Sequence, residues 1–326
     1  MKDIGLVGLP QSGKSTLFTA LTKLGAAGGR SSQAVVPVPD PRVAVLAELE
    51  RSRKIVQAQV RFVDVPGGLS AQGLGEMREV DALCLVMRAF GPDPDPARDL
   101  AAVRDELILA DLAVVDSALE NARRKLKGGR SSSSDLAALE RAHDALSDEI
   151  LLRDVTLDED ERRALRSLAP LTMKPWIPVA NAEEGAPLPE GLPAGAVGVW
   201  ARLESETAGM PEHEGRALLK EFGVDEPGLD RVIAAGYRAL DLVTFLTTGE
   251  DETRAWEVRR GATAQEAAGV IHTDLSRGFI RAEVVGFGDL VQAGGWNQAK
   301  SRGLLRVEGR EYHVREGDVM QVRFNV

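Results

Sequence analysis

Residues 8–16 read GLPQSGKST and follow directly on the apolar run IGLV at residues 4–7. This stretch fits the phosphate-binding loop (P-loop) pattern G-x-x-x-x-G-K-[ST], which requires a buried strand before it and a helix after it. Its glycines allow successive backbone N–H groups to curl around a phosphate chain, and the following helix adds its positive N-terminal end. The sequence therefore predicts a site for the phosphates of a nucleotide.

Two further motif positions predict a magnesium site beside those phosphates. Lys14 is expected to reach the β- and γ-phosphates, and the Ser15 hydroxyl is expected to bind Mg²⁺. The run DVPG at residues 64–67 ends a predicted strand and fits D-x-x-G, in which the carboxylate holds Mg²⁺ and the glycine N–H senses a γ-phosphate. Ser15 and Asp64 are thus the predicted metal ligands.

Composition narrows the class of protein. The chain has 326 residues, a net charge of -10 and one cysteine, Cys84, which indicates a globular protein of about two to three domains in a reducing cytoplasm. The acidic balance argues against coating nucleic acid by bulk charge, so any such contact needs a local basic patch. No leader or membrane span is visible, so no membrane partner is expected, and the oligomeric state stays open.

The order of strand and helix signals predicts an α/β fold with two additions. Residues 1–97 and 155–243 are predicted to form the P-loop domain, and residues 98–154 an inserted antiparallel helical hairpin that resembles a coiled coil. Residues 244–326, rich in glycine and short β-like runs, are predicted to form a small α+β domain. Residues 28–32 are expected to form a mobile loop, and residues 35–41, interrupted by prolines, an extended sheet edge.

The expected base-reading element is residues 181–184, which read NAEE. GTPases normally have N-K-x-D there, and its aspartate accepts hydrogen bonds from guanine. Here the lysine is absent and Glu184 stands in the fourth position, so a guanine preference is not supported. Asn181 is expected to contact the base and help hold the P-loop, with a plain polar turn as the alternative.

Several segments together resemble the Obg-like ATPase family, also called YchF. They are GLPQSGKSTLFTALTK at 8–23, VVPVPDPR at 35–42, REVDA at 78–82, DELILADL at 105–112, EPGLDRVIAAGY at 226–237, RAWEVRRGATAQEAAGVIHTDLSRGFIRAEV at 254–284 and EGREYHVREGDVMQVRFNV at 308–326. The likeness covers nearly the whole chain.

The resemblance implies a nucleotide-binding G-type domain with a helical hairpin and a β-grasp-like TGS domain at residues 244–326. It implies an Mg²⁺-dependent ATPase that associates with ribosomes. ATP is implied over GTP because N-x-x-E goes with ATP use in this family. Asn181 and Ala182 would lie against the adenine. The predicted nucleotide-binding residues are Gly8, Pro10, Gln11, Ser12, Gly13, Lys14, Ser15, Thr16, Asp64, Gly67, Asn181, Ala182 and Glu184.

The chain departs from the family at its active-site loops. The first switch, residues 24–33, is short and lacks a threonine that completes the Mg²⁺ shell, and Ser31 or Ser32 would have to substitute. Residues 67–75 are also shortened, and residues 90–96 lack a histidine that is proposed to aid hydrolysis in the family. We therefore expect slow intrinsic hydrolysis or dependence on a partner, with no catalytic residue assigned. The alternatives are that trimming is neutral, or that the chain is a ribosome- or RNA-binding scaffold with a degenerate nucleotide site.

A basic cluster marks the predicted tip of the hairpin. It consists of Arg123, Arg124, Lys125, Lys127 and Arg130. A protruding basic tip can reach RNA phosphates, so the tip and the TGS domain are the predicted ribosome contacts. The alternative is that these cations only solvate the surface and favour the helix dipole.

Overall fold

The computed structural model describes residues 1–24, 26–27, 33–127 and 133–325. The strands are β1 Lys2–Val7, β2 Ala26–Ala27, β3 Gln33–Pro37, β4 Ile55–Val56, β5 Gln59–Asp64, β6 Ala82–Ala89, β7 Trp176–Ala182, β8 Val197–Val199, β9 Leu242–Thr247, β10 Thr253–Arg259, β11 Phe279–Gly286, β12 Arg306–Glu308 and β13 Asp318–Phe324. The helices are α1 Lys14–Leu24, α2 Pro41–Glu50, α3 Ala71–Met77, α4 Pro96–Lys127, α5 Ser133–Ser147, α6 Glu159–Arg166, α7 Ala201–Thr207, α8 Glu212–Glu221, α9 Gly228–Ala239, α10 Ala264–Ile271, α11 Thr273–Arg277, α12 Phe287–Ala293 and α13 Trp296–Ser301. No helix within the described ranges is both long and apolar enough to cross a bilayer.

A seven-stranded sheet in the order β2-β3-β5-β1-β6-β7-β8 is the centre of the first compact unit, Lys2–Val36 and Arg61–Gly236. Strands β1, β6, β7 and β8 pair in parallel. Residues on both faces of β6 are buried, as expected for a central parallel strand covered by helices. Because parallel strands end at the same edge, the segments that follow β1, β6, β7 and β8 all meet there.

Helices α4 and α5 form the hairpin within this unit. Ile108, Val115, Leu119 and Ala122 of α4 are buried at spacings of seven, four and three, and they share one apolar cluster with Leu139 of α5. The two helices run antiparallel, as two cross-pairs show. These pairs join Arg123 Nη2 to Glu140 Oε1 at 3.0 Å and His143 Nε2 to Asp116 Oδ1 at 3.3 Å.

A buried carboxylate ties the base of the hairpin to the sheet domain. Asp111 of α4 is fully buried and accepts hydrogen bonds from Leu171 N, Thr172 N and Thr172 Oγ1. Arg78, at the end of α3, donates to Asp111 Oδ1 at 2.6 Å and to the carbonyl oxygens of Ala110 and Ala169. The charge is therefore both paired and hydrogen-bonded, which is the condition for burying it.

The second compact unit contains Met1, Pro37–Val60 and Tyr237–Val326, and its six-stranded sheet has the order β12-β11-β13-β9-β10-β4. Its core combines Phe245, Val258 and Phe279 from three strands with the alanines of α10. Strand β4 comes from the first fifth of the chain and pairs in parallel with β10.

Polar contacts fix residues 37–60 within the second unit. Asp40 caps α2, and the Arg42 guanidinium bridges Asp40 Oδ2 at 2.7 Å and Glu316 Oε1 at 2.5 Å. The other Glu316 oxygen accepts from Thr244 N of β9 at 2.8 Å. A segment next to the first switch is therefore built into the sheet formed by the end of the chain.

The strand expected before the P-loop is present as β1, and the strand expected to end at the DVPG run is present as β5. The expectation for residues 35–41 was wrong in part. Strand β3 ends at Pro37 with β2 outside it in the sheet, and Pro41 begins α2 because the fixed φ of proline suits the first turn of a helix. Residues 28–32 lie outside the described residues. The proposed domain boundaries stay predictions, and so does supercoiling of the hairpin.

We predict that Asp111→Ala destabilises the chain strongly, because it leaves Arg78 and two backbone N–H groups without their buried acceptor. The expected loss is about 3 kcal/mol of unfolding free energy, read as a lower midpoint in urea. Asp105→Ala, at an exposed position of the same helix, is the matched control and should change stability by less than about 0.5 kcal/mol. Equal midpoints for both variants would contradict this role for Asp111.

Candidate functional site

The P-loop connects the end of β1 to the start of α1. Two of its residues have left-handed backbone conformations, with φ of 65° at Gln11 and 89° at Gly13. The loop is closed by backbone hydrogen bonds from Ser12 N to Leu9 O and from Leu17 N to Gly13 O. This curl aims N–H groups and the N-terminal end of α1 toward one point, as anion binding requires.

The two motif glycines stand where a side chain would not fit. A Cβ atom at Gly8 would lie 2.3 Å from the carbonyl oxygen of Val86, and one at Gly13 would lie 2.0 Å from Nδ2 of Asn181. Gly13 also has a positive φ, so its geometry excludes a side chain in two ways. These close approaches pack the P-loop against β6 and β7.

Lys14 lies over the P-loop that it is expected to serve. Its Nζ donates to the carbonyl oxygens of Gly8 at 2.9 Å and Leu9 at 2.8 Å. Burial lowers the pKa of Lys14, and the nearby charge of Asp64 partly offsets that effect. A phosphate chain would supply a further negative charge and favour the charged form of the lysine.

Asp64 ends β5, the strand next to β1. Burial raises the pKa of Asp64, and the charge of Lys14 opposes that rise. Gly67 and Gly68 follow with φ of 89° and 51°, and Ser70 then caps α3 by accepting from Gly73 N. A turn with an acidic residue on one side and a helix start on the other therefore lies beside the P-loop strand.

Asn181 of β7 holds the P-loop, although β6 lies between β7 and the P-loop strand β1. Its side chain is 5% exposed, Nδ2 donates to Ser12 O at 3.2 Å, and Oδ1 accepts from Ala201 N at 3.3 Å. Both polar ends of the amide are thus engaged within the chain. The structure supports the expectation that Asn181 helps hold the P-loop.

The remaining predicted residues differ in position. Pro10, Gln11, Ser15 and Thr16 are exposed around the P-loop, whereas Ala182 is buried at the end of β7. Glu184 is exposed, and its Oε1 lies 3.8 Å from Nε of Arg202. The structure therefore brings the phosphate-side residues and Asn181 together and leaves Glu184 at the surface, while the roles assigned to these residues stay predictions.

Two groups at this edge were not singled out from the sequence. The Phe90 ring, just after β6, lies 3.6 Å from where a Cβ of Gly13 would be. Ala201, which follows β8 by two residues, donates its N–H to Asn181. Neither residue belongs to a motif, and only the strand order, with β6, β7 and β8 side by side, would have indicated them.

The residues present fit a nucleotide and Mg²⁺. At Gly8 and Gly13 the loop has room for backbone atoms but for no side chain. Ser12 Oγ is buried with no partner among the described residues. Ser15 and Asp64 would supply two hard oxygen ligands, and Mg²⁺ in such sites takes the rest from phosphates and water. When bound, Mg²⁺ would neutralise charge on the β- and γ-phosphates.

The curled loop, its lysine and the parallel sheet around it define a nucleotide-binding P-loop protein of the GTPase superfamily. The family model described as "50S ribosome-binding GTPase" matches residues 3–116, and the YchF-GTPase C-terminal model, described as a protein of unknown function, matches residues 242–325. Proteins named "Ribosome-binding ATPase YchF" from Haemophilus ducreyi and Bacillus subtilis are 40% and 37% identical, each over 99% of both chains. A solved structure, the Schizosaccharomyces pombe YchF GTPase, matches with a TM-score of 0.89 and 29% identity, over 99% of this chain and 97% of the other.

The chain belongs to the YchF family. The predicted family and the α/β fold class are confirmed by these matches, and so is the prediction of a nucleotide-binding P-loop protein of this type. The TGS assignment of residues 244–326, the preference for ATP and the role of Mg²⁺ stay predictions.

We predict that Gly13→Ala abolishes tight nucleotide binding, because the new methyl group would overlap Asn181 Nδ2 at an unfavourable φ. A loss of at least about tenfold in affinity is expected from the strain and the displaced amide. Calorimetric titration with nucleotide measures it. Gly288→Ala, at an exposed helical position with open space around it, should bind as the unchanged chain does, and equal affinity in the two variants would contradict the prediction.

Proposed function

We propose that the chain is an Mg²⁺-dependent ATPase with slow intrinsic turnover that works in association with the ribosome. The observation that carries the proposal is the P-loop with Lys14 bonded to two loop carbonyls and Asp64 in its field. The loop N–H groups and Lys14 would bind and neutralise a phosphate chain, and Asp64 would hold Mg²⁺ beside it. The relatives that are named ribosome-binding ATPases support the rest by similarity, and work with ribosomes would place the chain in the cytoplasm.

ATP is favoured over GTP by what the chain lacks at the base side. Residues 181–184 contain no aspartate to accept the N1 and N2 hydrogens of guanine. Glu184 is exposed and lies near Arg202, so we propose that it makes no bidentate contact of the N-K-x-D kind. Adenine lacks the N1 and N2 hydrogens of guanine, so its binding leaves no buried acceptor of the protein without a partner.

Slow hydrolysis follows from the residues that come directly after β5 and β6. Residues 65–69 read VPGGL, and residues 90–96 read FGPDPDP. Neither segment offers a carboxamide or an imidazole to orient water. The nearest following glutamine, Gln72, lies on α3 with its Nε2 3.4 Å from Glu76 Oε1. Positioning water and stabilising transition-state charge contribute several kcal/mol, about 3 for a single well-placed donor, so a bound partner would have to supply them.

ATP and GTP titrations by calorimetry in the presence of Mg²⁺ test the nucleotide part. We expect ATP to bind more tightly than GTP, and Lys14→Ala to weaken ATP binding by about 10- to 100-fold through loss of a charged donor. Lys220→Ala, an exposed lysine on α8, removes the same charge and should have no effect. Absence of binding to either nucleotide would instead favour the scaffold with a degenerate site.

The hairpin tip is the proposed ribosome contact. Arg123, Arg124 and Lys125 are all exposed, but Arg123 is paired with Glu140, and Arg124 donates to Asn121 Oδ1 of its own helix. The side chains of Lys127 and Arg130 lie outside the described residues. Two exposed cations next to each other can reach phosphates of ribosomal RNA.

We predict that Arg124→Glu combined with Lys125→Glu weakens co-sedimentation with ribosomes. The affinity should also depend less on salt, with the log–log slope reduced by about two if each cation meets one phosphate. Arg98→Glu combined with Lys220→Glu makes the same charge change at exposed positions at the start of α4 and on α8 and serves as the control. Unchanged binding in the tip variant, or an equal loss in the control, would show that the tip is only a solvated surface.

A further inference from the structure

One buried charge has no part in the phosphate site. Glu204 of α7 is 1% exposed, although its neighbours on that helix include the exposed residues Arg202 and Glu206. Burying a carboxylate is strongly unfavourable unless hydrogen bonds replace its water. A charge kept there therefore has to be matched by donors.

The donors are backbone N–H groups at two helix starts. Glu204 Oε1 accepts from Trp200 N at 3.1 Å, at the cap of α7, and Oε2 accepts from Leu229 N at 2.7 Å, in the first turn of α9. Burial raises the pKa of Glu204, and these bonds together with one from Gly228 N oppose the rise. The carboxylate thus joins the start of α9 to the turn between β8 and α7.

Gly228 shows how closely the two parts meet. A Cβ atom there would lie 2.6 Å from Glu204 Oε1 and 2.7 Å from the carbonyl oxygen of Gly198 in β8. Arg231, one turn further along α9, also donates to Gly198 O at 2.8 Å. The EPGLDRVIAAGY segment is therefore docked on the end of β8 through its first turn.

The same turn continues to the candidate site. Ala201, next to Trp200, donates its N–H to Asn181, and Asn181 donates to Ser12 O in the P-loop. A continuous series of hydrogen bonds thus runs from α9 through Glu204 to the P-loop. With phosphates on the P-loop and Asp64 on the β5 side, the rest of a nucleotide must extend along β6, β7 and β8.

We propose that Glu204 is a positioning residue for the base side of the nucleotide site: it holds the Trp200–Ala201 turn so that Ala201 fixes Asn181. The inference rests on the proposed nucleotide binding. A glutamine at this position would keep the shape but replace one acceptor oxygen with a donor that faces a backbone N–H. The turn would then move and Ala201 would release Asn181 Oδ1, while the Asn181 Nδ2 bond to Ser12 O and the bonds of Lys14 to its loop carbonyls would stay as they are.

The test is Glu204→Gln, titrated by calorimetry with Mg-ATP and, separately, with inorganic tripolyphosphate. We expect ATP affinity to fall about tenfold or more, with tripolyphosphate affinity within about twofold of the unchanged chain. A purely structural defect would weaken both ligands equally. Glu206→Gln, an exposed glutamate on the same helix, is the control and should match the unchanged chain for both ligands.

The outcomes separate the inference from the function it rests on. ATP binding by the unchanged chain, with no selective loss in Glu204→Gln, would overturn the inference alone. No ATP binding by the unchanged chain would overturn the proposed function and the inference with it. If Glu204→Gln does not fold, Glu204→Asp carries the same comparison, since it keeps the charge but shortens the reach, and an equal loss for both ligands in it would overturn the inference.

Discussion

The close approach of Asn181 to Gly13 is the constraint on which the candidate site depends. It requires β1, β6 and β7 to be consecutive and parallel, so that the amide at the end of β7 reaches over β6 to the P-loop. The position of Nδ2, only 2.0 Å from where a Cβ of Gly13 would be, leaves no room for a side chain. One buried amide thus fixes the loop on one side and receives Ala201 on the other. The curl of the loop is therefore a property of the sheet as well as of the glycines.

The parts of the site that could be predicted from the sequence are those whose chemistry is local. A strand, a glycine-rich loop and a helix follow one another within residues 2–24, so their pattern predicts the phosphate cradle without knowledge of the rest. Asp64 and Asn181 were found for the same reason, since each is a polar residue at the end of an apolar run that predicts a strand, RFVD at 61–64 and IPVAN at 177–181.

The parts that were missed depend on partners far along the chain. Nothing near residues 37–60 indicates that β4 pairs with β10 about two hundred residues later, or that Arg42 meets Glu316. In the sequence Glu204 is only one more charged residue of a short polar segment. Its role does not show there because one of its hydrogen-bond donors, Leu229 N, lies on another helix. Long-range pairing of this kind leaves no periodic signal in either segment.

The two buried carboxylates solve the same energetic problem in different ways. Asp111 is neutralised by Arg78, so the pair has no net charge, and Asp111 also accepts from Leu171 and Thr172. Glu204 accepts from backbone N–H groups at the starts of α7 and α9, and the charge of Arg231 is a smaller further aid. Each N–H lost at Glu204 removes a large share of its stabilisation, whereas Asp111 combines the charge of Arg78 with three further donors from Leu171 and Thr172. The turn after β8 therefore depends more on each single hydrogen bond than the base of the hairpin does.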